Sequence, residues 1–325
     1  MPTDGAVKEL TKPPLLRLKN RIYLSIIYTE TVDMKKYYAL FNPLSCNRRG
    51  TEEAKRLDKI YGDENVVYRD ITKIEDFRYF FTEIPLDSEI VLCGGDGTLN
   101  RFINATRGLT IEHSMLYYPC GSGNDFWHDI GGGDKPLPLN EYLKDLPVVT
   151  VNGEEHLFIN GVGYGIDGYC CEVGDQIRRD TPEKKIDYTG IAIKGCLFYY
   201  HPTTAYVTVD GKEYEFKKAW LAPTMFGRYY GGGMMATPVQ DRRSEEKTVS
   251  VLLFHGSNRL KTLMIFPSIF KGEHIKHTKY VTMLTGKEIS VRFDQPRAIQ
   301  IDGETHLGIT EYAARVHSAV PACTE

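Results

Sequence analysis

The chain has 325 residues, of which 42% are hydrophobic and 26% are charged. These proportions are typical of folded globular proteins and exclude a disordered or fibrous chain, and the length predicts two domains. The formal net charge of −3 gives no overall attraction to nucleic acid, so we expect no nucleic-acid partner. No stretch approaches the ~18 consecutive apolar residues that cross a bilayer. Seven cysteines without metal-binding spacing indicate reduced thiols, and we expect a cytoplasmic protein.

The first 33 residues differ in composition from those that follow. They contain Pro13 and Pro14, scattered charges and a weak apolar patch at 22–28. We expect an N-terminal extension over 1–33 and a functional domain that begins at Met34.

Short apolar runs then alternate with charged, helix-forming stretches up to about residue 135. This alternation predicts β-α-β units and a parallel sheet. The predicted strands cover 37–41, 66–68, 90–93 and 115–118, and the predicted helices cover 51–60, 74–81 and 98–106. We interpret residues 34–135 as an α/β domain, in which ligands bind at the edge where strands lead into helices.

The pattern changes after about residue 135. Alternating apolar and polar residues at 205–216 and 248–254 predict antiparallel strands. Helical interruptions are predicted at 188–200 and 260–270. We therefore expect a second, β-rich domain over 136–305.

The clearest local pattern is Gly-Gly-Asp-Gly-Thr-Leu-Asn at 94–100, which directly follows the apolar run 89–93 and opens a predicted helix. Three glycines let backbone N–H groups approach phosphate oxygens, and the helix N-terminus adds positive potential. The loop lacks the Gly-Lys-Ser/Thr ending of a Walker A loop, so Asp96 must organise the charge through Mg²⁺ or water. We predict a phosphate cradle, because a helix cap does not require three glycines in four positions.

Two further polar turns leave the same edge of the predicted sheet. Asn-Pro-Leu-Ser at 42–45 follows the first strand, and Gly-Ser-Gly-Asn-Asp at 121–125 follows the fourth. Turns of this kind converge in space. Taken alone, each is as consistent with an ordinary loop as with a ligand site, because these residue types dominate loops for backbone reasons.

The order and spacing of the three motifs resemble the diacylglycerol kinase catalytic domain family, which includes bacterial lipid kinases and sphingosine kinases. The family's third motif, Gly-Thr-x-Asn-Asp-Phe, corresponds here to residues 121–126, where Ser122 keeps the hydroxyl group. The resemblance continues through 160–167, 231–233, 266–277 and 301–304. It covers nearly everything from about residue 35 to the C-terminus.

The resemblance implies a fold class, α/β plus all-β: an N-terminal α/β nucleotide-binding domain and a C-terminal β-sandwich domain. It implies that ATP and Mg²⁺ lie in the cleft between the domains and that residues 306–325 return to pack on the first domain. The implied activity is phosphorylation of a hydroxyl on a membrane lipid, diacylglycerol or a related one, in phospholipid metabolism. The protein would be cytoplasmic and peripheral at the inner membrane face.

The resemblance also implies roles for individual residues. Glu304 would be the general base, Asp302 would orient it or share its task, and Asp96 would organise Mg²⁺. The nucleotide would be held by Asn42, Gly94, Gly95, Asp96, Gly97, Thr98, Leu99, Asn100, Ser122 and Asn124. Spacing alone leaves the Asp-Gly pair at 302–303 equally consistent with a hairpin turn, as at 210–211.

The chain departs from the family at one metal-binding segment. After the three glycines at 231–233 the family often carries Asp-Asp-Gly-x-Leu, which holds a structural Mg²⁺, whereas residues 240–247 lack the glycine. Glu246 is a candidate oxygen ligand in its place.

A literal Gly-x-Gly-x-x-Gly match lies at 163–168, after the change to β-rich sequence. No β-α-β unit follows it, so we do not interpret it as a dinucleotide site. The resemblance makes it the family's glycine-rich segment near the interdomain cleft.

Two other functions stay open. NAD kinases and phosphofructokinases also carry a Gly-Gly-Asp-Gly loop, so a kinase with a soluble substrate is one alternative, although it resembles the chain less after that loop. A non-catalytic module that binds lipid or nucleotide is the other, because segment 240–247 is altered.

The sequence also gives expectations about surfaces. A lipid acceptor needs an apolar slot in the second domain, and sheet edges permit a homodimer. The aromatic clusters at 198–200 and 226–230 are expected in the core rather than in contact with lipid.

Overall fold

The computed structural model describes residues 35–121, 123–181 and 186–316, without the side chain of Asn47. The N-terminal extension expected over 1–33 lies outside the described residues, and so does Ser122.

The first domain is built on a five-stranded sheet. Its strands are β1 (Tyr37–Phe41), β2 (Val66–Asp70), β3 (Glu89–Gly94), β4 (Ser114–Pro119) and β5 (Leu137–Pro138). The order is β2-β1-β3-β4-β5, with the first four strands parallel and β5 antiparallel to β4. Each predicted strand lies within an observed one, and the sheet extends slightly past residue 135.

Short helices connect these strands. They are α1 (Ser45–Arg48), α2 (Gly50–Ala54), α3 (Asp58–Tyr61), α4 (Phe77–Thr82), α5 (Asp96–Ala105) and α6 (Asp125–Asp129), with 3₁₀ turns at Lys55–Leu57, Asp63–Asn65, Ile71–Lys73 and Asn140–Leu143. Helix α4 begins three residues after the predicted start at 74, because the Asp76 carboxylate accepts hydrogen bonds from the N–H groups of Arg78 and Tyr79. The predicted helix over 51–60 is interrupted by a 3₁₀ turn.

The second domain is built on a ten-stranded antiparallel sheet and a separate two-stranded ribbon. The strands are β6 (Val148–Val151), β7 (Glu154–Leu157), β8 (Gly161–Tyr164), β9 (Thr203–Val209), β10 (Lys212–Ala219), β11 (Thr224–Met225), β12 (Tyr229–Tyr230), β13 (Met234–Met235), β14 (Val249–Phe254), β15 (Val281–Gly286), β16 (Glu288–Ile301) and β17 (Glu304–Arg315). Strands β12 and β13 form the ribbon. The predicted fold class, α/β followed by a β-rich domain, is confirmed.

The long strand β16 organises the second sheet. It pairs along its length with β17, while its two ends pair with β9 and β8. The full order is β15-β14-β11-β8-β16-β17-β6-β7, with β9 and β10 branching from β16. Residues 306–315 form most of β17, which pairs with β16 and β6, so this part of the segment expected on the first domain lies in the second sheet. Residues 317–325 lie outside the described part of the chain.

Three helices cover the second sheet. Helix α8 (Tyr188–Lys194) continues as a π turn (Gly195–Tyr199), and α9 (Arg259–Ile265) continues as 3₁₀ turns (Phe266–Lys271 and Glu273–Lys276), as predicted for 188–200 and 260–270. Helix α7 (Ile166–Asp180) was not predicted, because Gly168 and Gly174 lower helix propensity. A Cβ atom on Gly168 would collide with the carbonyl oxygen of Ala298, so this glycine lets α7 approach β16. Strand β8, which precedes α7, is antiparallel to both of its neighbours, so the match at 163–168 opens no parallel β-α-β unit.

The two domains share one hydrophobic core. Leu99 and Phe102 from α5 belong to the same buried cluster as Phe158, Val162 and Ile301 from the second domain. The glycine loop of the first domain is therefore held firmly against the second. Within the described residues, no helix has the length and apolar character needed to span a bilayer.

Candidate functional site

Three glycine-rich segments meet backbone to backbone at the carboxyl edge of the first sheet. A Cβ atom on Gly95 would lie 2.8 Å from the Cα of Gly121, so the two predicted loops touch directly. A Cβ atom on Gly123 would lie 3.2 Å from the Cα of Gly232, which belongs to the second domain. Larger residues would separate the segments, which is the physical reason for glycine at these positions.

Helix α5 begins at this meeting point. Its first residue, Asp96, follows Gly94 and Gly95. The helix has ten residues, and the backbone N–H groups of its first turn point toward the loop. Thr98 is buried beneath the loop, and a Cβ atom on Gly94 would collide with it. The geometry is that of an anion-binding helix terminus with close backbone access.

Asp96 ties the segments together. Its carboxylate accepts hydrogen bonds from the backbone N–H groups of Asp125 (3.0 Å) and Phe126 (2.9 Å), and from the side-chain amide of Asn160 (2.8 Å). Three of its roughly four lone-pair positions are therefore occupied by protein donors. The first two bonds cap helix α6, and the third reaches the second domain.

Asp125 joins the glycine segment of the second domain to α6. Its two oxygens accept hydrogen bonds from the N–H groups of Gly232 (2.8 Å) and Gly233 (2.7 Å), whose φ angles are 83° and 106°. Burial, followed by the negative charge of Asp96, raises the pKa of Asp125 to about 7, while the two glycine N–H groups oppose the shift.

Asp302 lies in the turn between β16 and β17, and its side chain is directed inward. The carboxylate accepts hydrogen bonds from the N–H groups of Ile159 (2.7 Å), Asn160 (2.8 Å) and Gly161 (2.9 Å), and from the side-chain amide of Asn100 (2.9 Å). It is 6% exposed, and burial raises its pKa above the ordinary range. Asp302 therefore fixes the hairpin against α5, and its role in orienting or assisting Glu304 stays a prediction.

Glu304, two residues further on, has the opposite environment. Its side chain is 41% exposed, and Oε1 accepts hydrogen bonds from Nε (3.1 Å) and Nη2 (2.9 Å) of Arg101. A Cβ atom on Gly97 would lie 3.5 Å from the same oxygen. The predicted general base, on β17 of the second domain, thus lies beside the first turn of α5, which belongs to the glycine loop of the first domain.

The remaining predicted residues of α5 face inward. The side chain of Leu99 is completely buried in the core, so only its backbone is available to a ligand. Asn100 donates to Asp302 and to the carbonyl oxygen of Leu157 (3.1 Å), which places it in the interdomain contact.

Asn42 and Asn124 shape their own loops. The side-chain oxygen of Asn42 accepts the N–H of Leu44 at 2.9 Å. Asn124 adopts a left-handed conformation with φ of 53° and makes two 2.9 Å hydrogen bonds with the backbone of Gly121. Both residues hold the loops at the sheet edge, and any contact with a nucleotide stays a prediction.

A buried charge network lies behind the site and was not predicted. Asp129, at the end of α6, accepts hydrogen bonds from Arg242 and from Nε of Arg228 (2.7 Å). Arg242 also donates to the carbonyl oxygen of Ile159 (2.7 Å) and the side-chain oxygen of Asn160 (3.0 Å). Partners separated by about a hundred residues leave no spacing pattern, so the sequence offered no signal beyond the paired arginines at 242–243.

The proposed metal ligands do not form a common cluster. Among the described residues, no group of three or more His, Cys, Asp or Glu side chains could hold a metal ion. Glu246 is 72% exposed and pairs with Lys287 at 3.2 Å. Its role as a metal ligand stays a prediction.

Two family comparisons cover most of the chain. Residues 36–148 match the diacylglycerol kinase catalytic domain, and residues 160–323 match the YegS C-terminal NAD kinase beta sandwich-like domain. The chain belongs to this family of kinases with a diacylglycerol kinase catalytic domain. Phosphotransferase activity with ATP as donor is the activity of the class.

Individual relatives are distant in sequence. “Putative lipid kinase YtlR” of Bacillus subtilis is 21% identical over 314 residues, which are 86% of this chain and 96% of that protein. “Diacylglycerol kinase” of Mycobacterium tuberculosis is 26% identical over 196 residues, which are 58% of this chain and 61% of that protein. The match to the second relative thus spans less than two thirds of its length.

The fold is also found among solved structures. “Crystal structure of a putative diacylglycerol kinase from Bacillus anthracis str. Sterne” superimposes with a TM-score of 0.59 at 18% identity, over 90% of this chain and 95% of that chain. At this identity the likeness establishes the fold alone.

Proposed function

We propose that the protein is an ATP-dependent lipid kinase that transfers the γ-phosphate of ATP to a hydroxyl group of diacylglycerol or a related membrane lipid. The observation that carries this proposal is the position of Glu304, a half-exposed carboxylate of the second domain beside Gly97 in the glycine loop of the first. A base and a phosphate cradle from different domains meet at one edge of the molecule. The names of the relatives support a lipid as the acceptor.

Glu304 is suited to accept the proton of the acceptor hydroxyl. As that proton leaves, the hydroxyl oxygen forms a bond to the γ-phosphorus and the bond from this phosphorus to the β–γ bridging oxygen breaks, releasing ADP. Both contacts from Arg101 fall on Oε1, so Oε2 is the oxygen open to the acceptor. Arg101 holds the carboxylate in place.

The residues at the loop support the binding of a nucleoside triphosphate. The backbone N–H groups of Gly95 and Gly97, at the N-terminus of α5, would bind phosphate oxygens without a side chain in the way. Asp96 keeps one lone-pair position, so its carboxylate would be the protein ligand of an Mg²⁺ ion bound together with the phosphates. When bound, that ion would neutralise charge on the phosphates.

The test is transfer of labelled phosphate from ATP to lipids dispersed in mixed micelles with Mg²⁺. Glu304→Gln keeps the shape of the side chain and removes its basicity. We expect kcat to fall by roughly 10²–10⁴-fold, the usual contribution of a general base. The matched control is Glu311→Gln on the same strand, which is exposed and lies outside the site, and we expect it to keep full activity.

The same assay separates the other functions. Phosphorylation of NAD instead of lipid would replace the proposal with a soluble-substrate kinase. Binding of Mg·ATP without transfer to any lipid would indicate a non-catalytic module. Full activity in Glu304→Gln would show that another group takes the proton.

A further inference from the structure

An unusual number of large apolar side chains is exposed on one part of the second domain. On α8, the π turn, α9 and the first 3₁₀ turn after it, the exposed side chains are Tyr188, Ile193, Phe198, Tyr199, Leu260, Met264 and Phe270. Phe198, Tyr199, Leu260 and Met264 are each at least 64% exposed. Single exposed apolar residues are common, whereas a contiguous group marks an interaction surface. We call these seven residues the apolar surface.

The elements that carry the apolar surface are held together. Arg259, the first residue of α9, donates hydrogen bonds to the carbonyl oxygens of Cys196 (2.7 Å) and Tyr200 (3.0 Å) on either side of Phe198 and Tyr199. Arg259, the residue directly before Leu260, therefore fixes the start of α9 against the π turn. Met264 lies four residues further along α9, on the same face of the helix as Leu260.

The inner faces of the same elements are buried. Ile191, Cys196, Ile265 and Ile269 belong to one hydrophobic cluster beneath them. The helices are thus packed as firmly as ordinary surface helices and still present apolar side chains outward. The expectation that residues 198–200 lie in the core is correct for Tyr200, which is 2% exposed, and wrong for the two residues before it.

The elements that carry the apolar surface contain charged residues of one sign only. Residues 188–200 and 258–272 contain four basic residues, Lys194, Arg259, Lys261 and Lys271, and no acidic residue, although the whole chain has a net charge of −3. The neighbouring helix α7 adds Asp175, which pairs with Arg178 at 2.7 Å, and Glu172, which lines a cavity with Tyr200. The acidic residues that flank these elements in the chain are also engaged. Asp187 caps α8 by accepting the N–H of Gly190 (2.9 Å), and Glu273 pairs with Lys276 (2.9 Å).

A cavity links the apolar surface to the strand that carries Glu304. Tyr200, directly after Tyr199, lines a cavity of about 170 Å³ together with Tyr169 of α7 and Leu307 of β17. Leu307 is three residues from Glu304 on the same strand, roughly 10 Å at ~3.3 Å per residue.

We propose that the apolar surface docks the protein on an anionic lipid membrane. Aromatic and aliphatic side chains enter the interfacial region, and the four basic residues contact acidic headgroups. A membrane matches both features, because a water-exposed apolar surface on elements whose charged residues are all basic suits an apolar layer with anionic headgroups. The proposal rests on the proposed function only in so far as a kinase that acts on a membrane lipid must reach its membrane.

The test is cosedimentation of the full chain with vesicles, without ATP. We compare vesicles of phosphatidylcholine with and without phosphatidylglycerol. The double variant Phe198→Asp with Met264→Asp is expected to lower the partition coefficient roughly tenfold or more, because two apolar contacts are lost. Lys261→Glu is expected to lower it about fivefold on phosphatidylglycerol vesicles and to leave binding to pure phosphatidylcholine unchanged.

The matched control is Leu86→Asp, which changes a 65% exposed apolar residue of the first domain. It should bind vesicles like the wild type. Equal binding by the double variant and the wild type, or equal loss in the control, would overturn the proposal. So would a concentration-dependent dimer that requires Phe198 and Met264 in the absence of any vesicle binding, because the surface would then contact a second copy.

Failure of docking and failure of the kinase proposal are distinguishable. Vesicle binding needs no nucleotide, and phosphate transfer to micelle-dispersed lipid needs no bilayer. Binding that depends on the apolar surface, without transfer to any lipid, would leave docking standing and remove the lipid kinase. Transfer of phosphate to lipid without binding to any vesicle would support the lipid kinase and overturn docking. Unchanged thermal unfolding of the double variant ensures that a loss of binding is not a loss of fold.

Discussion

The buried interdomain contact and the open edge of the site contain similar residues in opposite environments. At the buried contact, Asp302 accepts four protein hydrogen bonds and is 6% exposed. At the open edge, Glu304 is 41% exposed and is held on one oxygen by Arg101. The two carboxylates are two residues apart in the same Asp-Gly-Glu sequence.

Within the Asp-Gly-Glu motif, one carboxylate therefore stabilises the structure and the other is available for chemistry. The lone pairs of Asp302 are occupied by protein donors, so this residue holds the two domains at a fixed distance. Glu304 is held by Arg101 on Oε1, the oxygen nearest Gly97, and Oε2 is the oxygen proposed to take the proton. Variants that change one of the two carboxylates and keep the other test this difference between a structural and a chemical role.

The largest effect is expected for Asp302→Asn. In either orientation an asparagine amide would place its NH₂ group against two of the four donors, leaving them buried without an acceptor, which costs roughly 3–5 kcal/mol. We expect the free energy of unfolding, measured with denaturant, to fall by that amount. Glu304→Gln is the control, because it makes the same chemical change on a half-exposed side chain and should alter stability by less than about 0.5 kcal/mol. Similar losses in both variants would remove the distinction between the two carboxylates.

A pH-dependent effect of intermediate size is expected at Asp125. Its pKa of about 7 in the folded protein exceeds the unfolded value of ~3.9. The folded state therefore binds the proton more tightly, so this contribution to stability is full below about pH 4 and is lost as the pH rises through about 7. Relative to Asp125→Asn, the wild type should lose roughly 2–4 kcal/mol over that interval.

Unfolding in denaturant at a series of pH values measures this difference. Because both proteins share every other titrating group, their curves differ through residue 125 and through its electrostatic interaction with Asp96. Parallel curves between pH 4 and 7 would show that Asp125 is ionised normally and that the buried contact tolerates its charge.

The smallest effect on stability separates two neighbouring glycines. Gly95→Ala would place a Cβ atom 2.8 Å from the Cα of Gly121, and we expect a loss of roughly 1–3 kcal/mol. At Gly97 the nearest atom, Oε1 of Glu304, is 3.5 Å away, so Gly97→Ala should fold normally and gain up to about 1 kcal/mol in helix α5.

Activity distinguishes the same pair in another way. Gly97→Ala should still lower kcat/KM, by roughly tenfold or more, because its methyl group occupies the space between the loop and Glu304. A stable Gly97→Ala protein with wild-type kcat/KM would show that phosphates do not approach this turn.

Local patterns were sufficient for much of the fold. The four parallel strands were predicted because each is a short apolar run followed by polar turn residues, and the two later helices because their apolar spacing is helical. Helix α7 was missed because its glycines, among them Gly168, serve packing against β16 and conceal the helical pattern. The position of residues 306–315 in the second sheet was missed because strand pairing depends on partners distant in sequence.

The site shows the same division. Local sequence was sufficient to predict the glycine loop at 94–97, because close backbone approach requires glycine. The carboxylate at 304 was assigned through the family resemblance, because Asp-Gly-Glu between two strands is locally the same as a hairpin turn. Tertiary contacts were needed to show that Asp302 faces inward, that Asp129 and Arg242 form a buried pair, and that Phe198 and Tyr199 face outward. Those outcomes depend on which distant residues supply donors, charges or cover, and a local pattern of residues carries no record of them.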